Sequence, residues 1–151
     1  MAKKTKNITP NFVQDLDRDQ LRKIINSSSD GIFLFNKEGG FVDCNETAVR
    51  LHGYSSKLEF LKVHPFDFIP ENYHGLFKEM QDSVHSGKEF NGTASGIRKD
   101  GKHIDVKVYG VPIEIGGEIF TYAAVSDITE LNILYKELKS SESRFRSIVQ
   151  D

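Results

Sequence analysis

The spacing of hydrophobic positions changes several times along the chain and so predicts the order of its elements. Apolar residues recur at helical spacing over residues 11–28, which predicts one helix or a bent pair of helices. Two short β-forming runs follow at residues 32–35 and 41–43, and the turn at Gly39 between them predicts a hairpin. Helical patterns then return and continue as far as Gly87.

In the second half of the chain hydrophobic and polar residues alternate, which is typical of strands with one face against a core. Residues 90–98, 103–113 and 118–128 form three such stretches, and the turn sequences Asp100-Gly101 and Gly116-Gly117 separate them. Two strands, a run of short helices and three further strands predict an α+β domain. We expect one antiparallel sheet with the helices packed on one of its faces.

The C-terminal segment returns to helical spacing, with alternating steps of three and four residues that are typical of a coiled-coil seam. Ser141 alone interrupts the apolar positions, which are Leu131, Leu134, Leu138, Phe145 and Ile148. Two interpretations stay open, because a single helix docked on the sheet would show a similar stripe. The seam interpretation predicts a homodimer.

Composition and charge exclude several classes of function. The chain is 38% hydrophobic and 28% charged with a net charge of −2, so it lacks the excess of Lys and Arg that nucleic-acid binding needs. We interpret the basic run at Lys3, Lys4 and Lys6 as a solvated tail. The lone cysteine, Cys44, excludes an internal disulfide and fits a reducing compartment. No apolar run reaches the roughly 18 residues of a membrane-spanning helix, so we expect a cytoplasmic location without membrane contact by these residues.

Six short motifs, in order and at normal spacing, resemble those of the PAS domain family. They are Asp30-Gly31-Ile32, Asn45-x-x-Ala48, Gly53-Tyr54-Ser55, Arg98-Lys99-Asp100-Gly101, Pro112-Ile113 and Asp127-Ile128-Thr129. The resemblance covers residues 19–129. One departure is Glu59, which lies one position later than the usual acidic residue of the family.

The resemblance implies a five-stranded antiparallel sheet of order 2-1-5-4-3, a pocket between sheet and helices, and helical extensions at both ends. The chain then divides into an N-terminal tail and flanking helix, a PAS domain, a coiled-coil-like signalling helix and the start of a following PAS domain, over residues 1–18, 19–129, 130–142 and 143–151. Such modules pass a signal through the C-terminal helix to an output domain. We expect a sensor histidine kinase of bacterial or archaeal origin as the parent protein.

The assignment of a following PAS domain depends on a short internal repeat. Residues 21–26 and 145–150 match in residue type at each position except Lys23 against Ser147. Chance agreement over six residues and a tandem array of domains both remain open, and the location of the second copy after a connecting helix favours the array. The partners expected on this basis are adjacent PAS and kinase or output domains of the same chain.

The resemblance also allows a test for a flavin photosensor. The adduct-forming cysteine of that branch corresponds here to Pro65, whereas Cys44 lies too early in the fold. The polar side chains that hold the flavin ring correspond to Gly96, Val106 and Val125, which offer no side-chain hydrogen bond. We therefore expect no flavin adduct.

A haem site is disfavoured on similar grounds, because Phe77 corresponds to the ligand position of the haem-binding branch. His74 and His85 lie off the apolar stripe of the long helix, and we interpret both as solvated surface residues. His52 and His64 are nearer the expected pocket, where a hydrogen-bonded structural role is expected. No His, Asp or Glu pair has the spacing of a metal site, so no metal or cofactor is predicted.

With flavin, haem and metal sites disfavoured, we expect a compact and largely apolar pocket. Three polar residues are expected to assist a mostly apolar wall, and the full candidate set is Phe33, Phe35, Leu61, Phe66, Phe68, Phe77, Met80, Thr93, Arg98, Val106, Val108, Thr121, Ala123 and Val125. The chain has 11 phenylalanines, which would themselves fill much of this space. A filled core without ligand and a pocket for a small metabolite therefore both remain open.

Signal transmission is assigned to the point where the last strand becomes helix. Asp127 and Thr129 can bond backbone groups there, and so tie the strand to the direction of the helix. A simple helix cap without switching is the alternative that stays open. Asp105 and Lys107 alternate out of phase with the apolar residues of their strand, so they are expected to face solvent. No pair of nucleophile and base is present, and we expect no catalysis by this chain. A scaffold that only holds partners together is the competing class.

Overall fold

The computed structural model describes residues 13–150. Three predicted features of the sequence fall outside this range. They are the tail over residues 1–10 with its basic run, Phe12 and Asp151. Within it the chain folds into one antiparallel sheet with helices around it. The α+β prediction is therefore confirmed.

The sheet has the strand order β2-β1-β5-β4-β3, which confirms the order that the resemblance predicts. Its strands are β1 (Gly31–Phe35), β2 (Phe41–Cys44), β3 (Phe90–Ile97), β4 (His103–Ile115) and β5 (Glu118–Asp127). The β4–β5 turn has φ of +59° at Gly116 and +82° at Gly117. Glycine adopts this left-handed conformation without a steric penalty, and the turn fixes the register in which Ile115 pairs with Glu118.

The helices are α1 (Arg18–Ser27), α2 (Glu46–Leu51), α3 (Lys57–Phe60), α4 (Pro65–Phe68), α5 (His74–His85) and α6 (Thr129–Gln150), with short 3-10 turns at Val13–Asp15 and Glu71–Tyr73. The sequence places Pro70 at the first position of the long helix, but Pro70 has an extended ψ of 150° and precedes the 3-10 turn. The long helix therefore begins later, at His74.

The core lies between the helices and one face of the sheet, and phenylalanine rings dominate it. Phe33 of β1 has its ring 6.1 Å from Phe60 of α3 and 5.9 Å from Phe68 of α4. Met80 and Val84 of α5 are buried against the same face. This confirms that the apolar stripe predicted for the long helix packs in the core. Burial of so many rings is the main stabilising contribution to the fold.

Asn45 joins three elements at the start of α2. Its Oδ1 accepts hydrogen bonds from the backbone N–H of Ala48 at 3.0 Å and of Ile32 at 2.9 Å. Its Nδ2 donates to the carbonyl oxygens of Ile25 at 2.8 Å and of Asp30 at 3.1 Å. Asn45 is therefore the N-cap of α2, and the same side chain also holds the end of α1 and the start of β1.

Candidate functional site

A cavity of about 80 Å³ lies between the sheet and the long helix α5. Alternate residues of the strands face it, because successive side chains of a strand point to opposite sides of the sheet. Nine residues of the predicted wall line the cavity: Phe33, Phe35, Phe68, Phe77, Met80, Val106, Val108, Ala123 and Val125. Residues outside the predicted set complete the lining: His52, Ile69, Tyr73, Leu76, Phe90, Ala94, Ser95 and Gly96. The site is thus an apolar space with few polar groups.

The polar residues predicted for the wall lie elsewhere. Thr93 is exposed and is not part of the lining, to which β3 contributes Phe90, Ala94, Ser95 and Gly96. Arg98 turns away and donates from Nη1 to the carbonyl oxygen of Leu51 at 2.7 Å. Thr121 is completely buried on the inner face of β5 but is not part of the lining.

Two apolar residues of the predicted wall also lie outside the lining. Phe66 is 44% exposed, and its ring stacks on His74 with the centroids 3.7 Å apart. Leu61 is half-buried and packs against the edge of the core. Leu61 follows α3 and Phe66 lies within α4, and helices of four residues are too short for sequence periodicity to fix the direction of a side chain.

His52 provides a fixed polar group in the lining. The residue is 3% exposed, and its ring lies between the rings of Phe33, Phe60 and Phe68 at 5.5, 5.2 and 5.1 Å. Its Nδ1 is 3.3 Å from the carbonyl oxygen of Ala48. Burial lowers the pKa of the imidazole from 6.5 to about 4, so the ring is neutral at physiological pH. The sequence indicates the hydrogen bond of His52 but not its place in the cavity wall.

The other histidines of interest are not free in solvent. His74, on α5, has Nε2 2.7 Å from the carbonyl oxygen of Ile69. His85 has Nδ1 2.8 Å from the carbonyl oxygen of Gln81 and Nε2 3.2 Å from that of Ile119 on β5. Both histidines are partly exposed, as expected of surface residues, but each ring also bonds a backbone carbonyl oxygen.

The start of α6 is bonded to β4 near the beginning of that strand. The backbone N–H of Asp105 donates to Oγ1 of Thr129 at 2.9 Å, and its carbonyl oxygen accepts from the N–H of Ile128 at 2.8 Å. The Oδ2 of Asp105 accepts from Nδ2 of Asn132 at 3.1 Å. The expectation that Asp105 faces open solvent is wrong, because α6 begins directly over its side of the sheet. Lys107, two residues further on, is exposed as expected.

Both residues assigned to signal coupling lie at this junction. Oδ1 of Asp127 accepts from the backbone N–H of Thr129 at 2.9 Å, which closes the turn between β5 and α6. Thr129 in turn bonds Asp105 through its hydroxyl. Val106, the next residue along β4, lines the cavity on the opposite face of the sheet. One residue step of β4 therefore separates the cavity wall from the helix junction.

The predicted seam of α6 is exposed along its length. The exposed fractions are 63% for Leu131, 55% for Leu134, 67% for Leu138, 67% for Phe145 and 74% for Ile148. A helix docked on the sheet would bury such residues. The exposure of these side chains argues against the docked helix, and hydrogen bonds join α6 to β4 at its first turn.

Two further observations limit the chemistry of the described residues. Between residues 13 and 150 no group of three or more His, Cys, Asp or Glu side chains is arranged to hold a metal ion. Over the same part of the chain, no helix combines the length and the apolar character that crossing a bilayer requires.

The fold and the cavity define a class of domain in which a five-stranded sheet and short helices enclose a small apolar space. Comparison with protein families identifies it, because the family described as PAS domain matches residues 29–130. That span is more than half of the 151 residues. The chain belongs to the PAS domain family.

Solved structures share this fold at low sequence identity. A PAS domain from Colwellia psychrerythraea is 21% identical with a TM-score of 0.65, over 74% of this chain and 97% of that chain. A domain of a sensory box sensor histidine kinase/response regulator from Geobacter sulfurreducens is 17% identical with a TM-score of 0.60, over 78% and 97%. An RNA-binding Light-Oxygen-Voltage receptor is 17% identical with a TM-score of 0.69, over 95% of this chain and 41% of that chain. The comparison with curated proteins gives no match.

Proposed function

We propose that this chain is a sensor or relay module that binds a small ligand in the cavity and transmits the signal through α6. The signal passes to a downstream domain of the same polypeptide. We propose that this domain is a histidine kinase of a two-component system. One observation carries the proposal: Val106 lines the cavity, while its neighbour Asp105 bonds the first turn of α6. A similar domain from a sensory box sensor histidine kinase supports the choice of output.

The mechanism requires the ligand to bind one arrangement of β4 better than another, because a ligand shifts an equilibrium only by its differential affinity. A small shift of Val106 at the cavity wall moves Asp105 with it, since the two share a peptide bond. The hydrogen bonds to Thr129 and Asn132 then pass that shift to the start of α6. The output domain would sense it as a rotation or a change of register of the helix.

The proposal assigns no catalysis, metal, flavin or haem to this chain, and it places the protein in the cytoplasm. It includes a homodimer through α6, together with contacts to adjacent PAS and kinase domains. In a parent protein with a regulated output, replacing Asp127 with Ala removes the acceptor for the Thr129 N–H. We expect the fold to persist and the regulation to be lost. An unchanged regulated output in that variant would argue against coupling through this junction.

Two measurements on the purified chain test directly for a bound ligand. Native mass spectrometry at low collision energy should show the protein with an additional small mass that denaturation releases, and an absorbance scan should show no flavin or haem band. A flavin or haem spectrum would overturn the choice of ligand class.

The second candidate function is a ligand-free dimerisation scaffold, and the exposed seam of α6 favours it. Sedimentation equilibrium of the chain should give a dimer, and replacing Leu134 and Leu138 with Glu should give a monomer. Lys136→Glu is the matched control, because Lys136 lies on the same helix outside the seam. A dimer without any retained ligand would support the scaffold over the sensor.

A further inference from the structure

The size of the cavity limits what it can bind. A cavity needs about 10–15 Å³ to hold one water. The volume here is about 80 Å³, so there is room for a molecule of about five to eight non-hydrogen atoms. Since phenylalanine, valine and alanine side chains supply most of the wall, an ionised ligand would lose its hydration without compensation. The ligand is therefore small, neutral and mostly apolar.

The polar side chains of the lining are few. Ser95 lies between Ala94 and Gly96 on β3, so its side chain points to the opposite face of the sheet. Tyr73 precedes α5 and carries a hydroxyl that can both donate and accept. His52 is the remaining polar side chain of the lining, and its ring is held by the three phenylalanine rings around it. Tyr73 and His52 therefore both offer a polar group to a ligand, and the packing around His52 fixes the position of its ring.

The tautomer of His52 follows from its neighbours. Nδ1 lies 3.3 Å from a carbonyl oxygen, which can only accept, so Nδ1 carries the proton of the neutral ring. Nε2 is then a hydrogen-bond acceptor. It lies beside Gly96, where an added Cβ would be 3.1 Å from it, and no donor is paired with it among the residues that the structure describes. The wall thus presents an acceptor that lies against β3 and is not satisfied by a donor of the described residues.

We infer that the cavity binds a neutral, mostly apolar molecule whose one hydroxyl or N–H group donates to Nε2 of His52. This inference rests on the proposed function, because it names the class of ligand for the same cavity. Ring-shaped alcohols of the phenol type fit this description, since their flat apolar bodies match a wall of aromatic rings. Molecules of the same shape without a donor leave the acceptor unpaired.

The test compares phenol with toluene, which has the same shape and a methyl group in place of the hydroxyl. Both are titrated into ¹⁵N-labelled chain at neutral pH, and the amide shifts of Ala94 and Gly96 give the two values of Kd. The imidazole ¹⁵N shifts of His52 report the hydrogen bond itself. We expect phenol, and not toluene, to move the Nε2 resonance.

Two variants remove the acceptor in different ways. His52→Phe keeps an aromatic ring but has no nitrogen, whereas Gly96→Ala keeps His52 and places a methyl group against Nε2. In each, the preference for phenol over toluene should fall about tenfold, since a buried hydroxyl without a partner is costly. Gly75→Ala is the control, because nothing lies within 4 Å of an added Cβ at that exposed end of α5. It should leave both affinities unchanged.

The outcomes separate this inference from the proposed function. If both probes bind the cavity and their ratio of affinities is the same in all four proteins, the inference is overturned while ligand binding stands. If neither probe shifts Ala94 or Gly96 at millimolar concentration, both the inference and the ligand-binding part of the proposed function fail. If His52→Phe does not fold, the ratio of phenol and toluene affinities in Gly96→Ala alone decides between these outcomes.

Discussion

The backbone N–H of Asp105 donates to Oγ1 of Thr129 across 24 residues of sequence, at 2.9 Å. This bond joins the beginning of β4 to the first turn of α6. Asn132, one turn further along α6, donates to the carboxylate of the same Asp105. Ile128 donates to its carbonyl oxygen as well, so the backbone N–H, the backbone carbonyl and one carboxylate oxygen of Asp105 bond residues at the start of α6 or just before it.

Removing the hydroxyl of Thr129 should loosen this junction. Thr129→Val keeps the shape of the side chain but leaves the Asp105 N–H without its acceptor, at a cost of about 1–3 kcal/mol. We expect the free energy of unfolding to fall by that amount in a urea titration, and the Asp105 amide to exchange faster with deuterium. Thr129→Ser restores the hydroxyl and should behave like the parent chain. Equal exchange rates at Asp105 in all three proteins would show that this bond does not hold the junction.

The buried imidazole of His52 should make the stability of the domain depend on pH. Its pKa falls from 6.5 to about 4 on folding because burial disfavours the charged ring. Above pH 6.5 the ring is neutral in the folded and the unfolded chain. Between pH 6.5 and about 4 only the unfolded chain takes up the proton, so the free energy of unfolding falls as the pH falls. The total loss is on the order of 3 kcal/mol.

Urea titrations over this pH range measure that loss, and His52→Phe is the control that lacks the titrating group. The parent chain should lose more stability than the variant as the pH falls, although other groups titrate in both. The same pH dependence in the two proteins would mean that His52 is protonated in the folded state as easily as in the unfolded one.

Asn45 should contribute more to stability than an ordinary helix cap. Asn45→Ala removes four hydrogen bonds at a residue that is 1% exposed, and we expect a loss of about 3 kcal/mol or more. Ser56→Ala is the comparison, since Ser56 caps α3 through one bond at the surface and should cost about 1 kcal/mol. Both values come from urea unfolding. Equal losses in the free energy of unfolding for the two variants would show that Asn45 acts only as a helix cap.

Cys44 should be an inert thiol in the folded chain. It is 7% exposed, and burial raises its pKa from 9.0 to about 11, so little thiolate is present near neutral pH. We expect a coloured disulfide reagent to react slowly at pH 8 and rapidly once urea unfolds the chain. Fast reaction without denaturant would show that the end of β2 opens readily.

The elements of the fold were predictable because each has a local signal. Alternation over residues 103–113 indicates β4, the glycine pair 116–117 indicates its turn, and Asn45 indicates the start of α2. Alternation could also have placed Thr93 outside the cavity, since it is out of phase with Ala94. The strand order came from the resemblance to the family and not from any of these patterns.

The contacts of single side chains were less predictable, because they depend on parts of the chain that are far apart in sequence. Asp105 was expected in solvent, and only the return of α6 over the sheet explains its bonds to Thr129 and Asn132. Arg98 reaches back 47 residues to Leu51. The sequence indicates that His52 is a hydrogen-bonded helix end, but the position of its Nε2 beside Gly96 depends on the approach of β3.

The central claim is that the cavity and α6 are coupled through β4. Amide chemical shifts and exchange rates of the ¹⁵N-labelled chain, measured with and without saturating phenol, test it directly. We predict that phenol changes the amide chemical shifts of Gly96 at the cavity and of Asp105 and Asn132 at the junction. In Thr129→Val the change at Gly96 should remain, whereas the change at Asn132 should be lost. Changes confined to the cavity in the parent chain, with Asp105 and Asn132 unaffected, would contradict the claim.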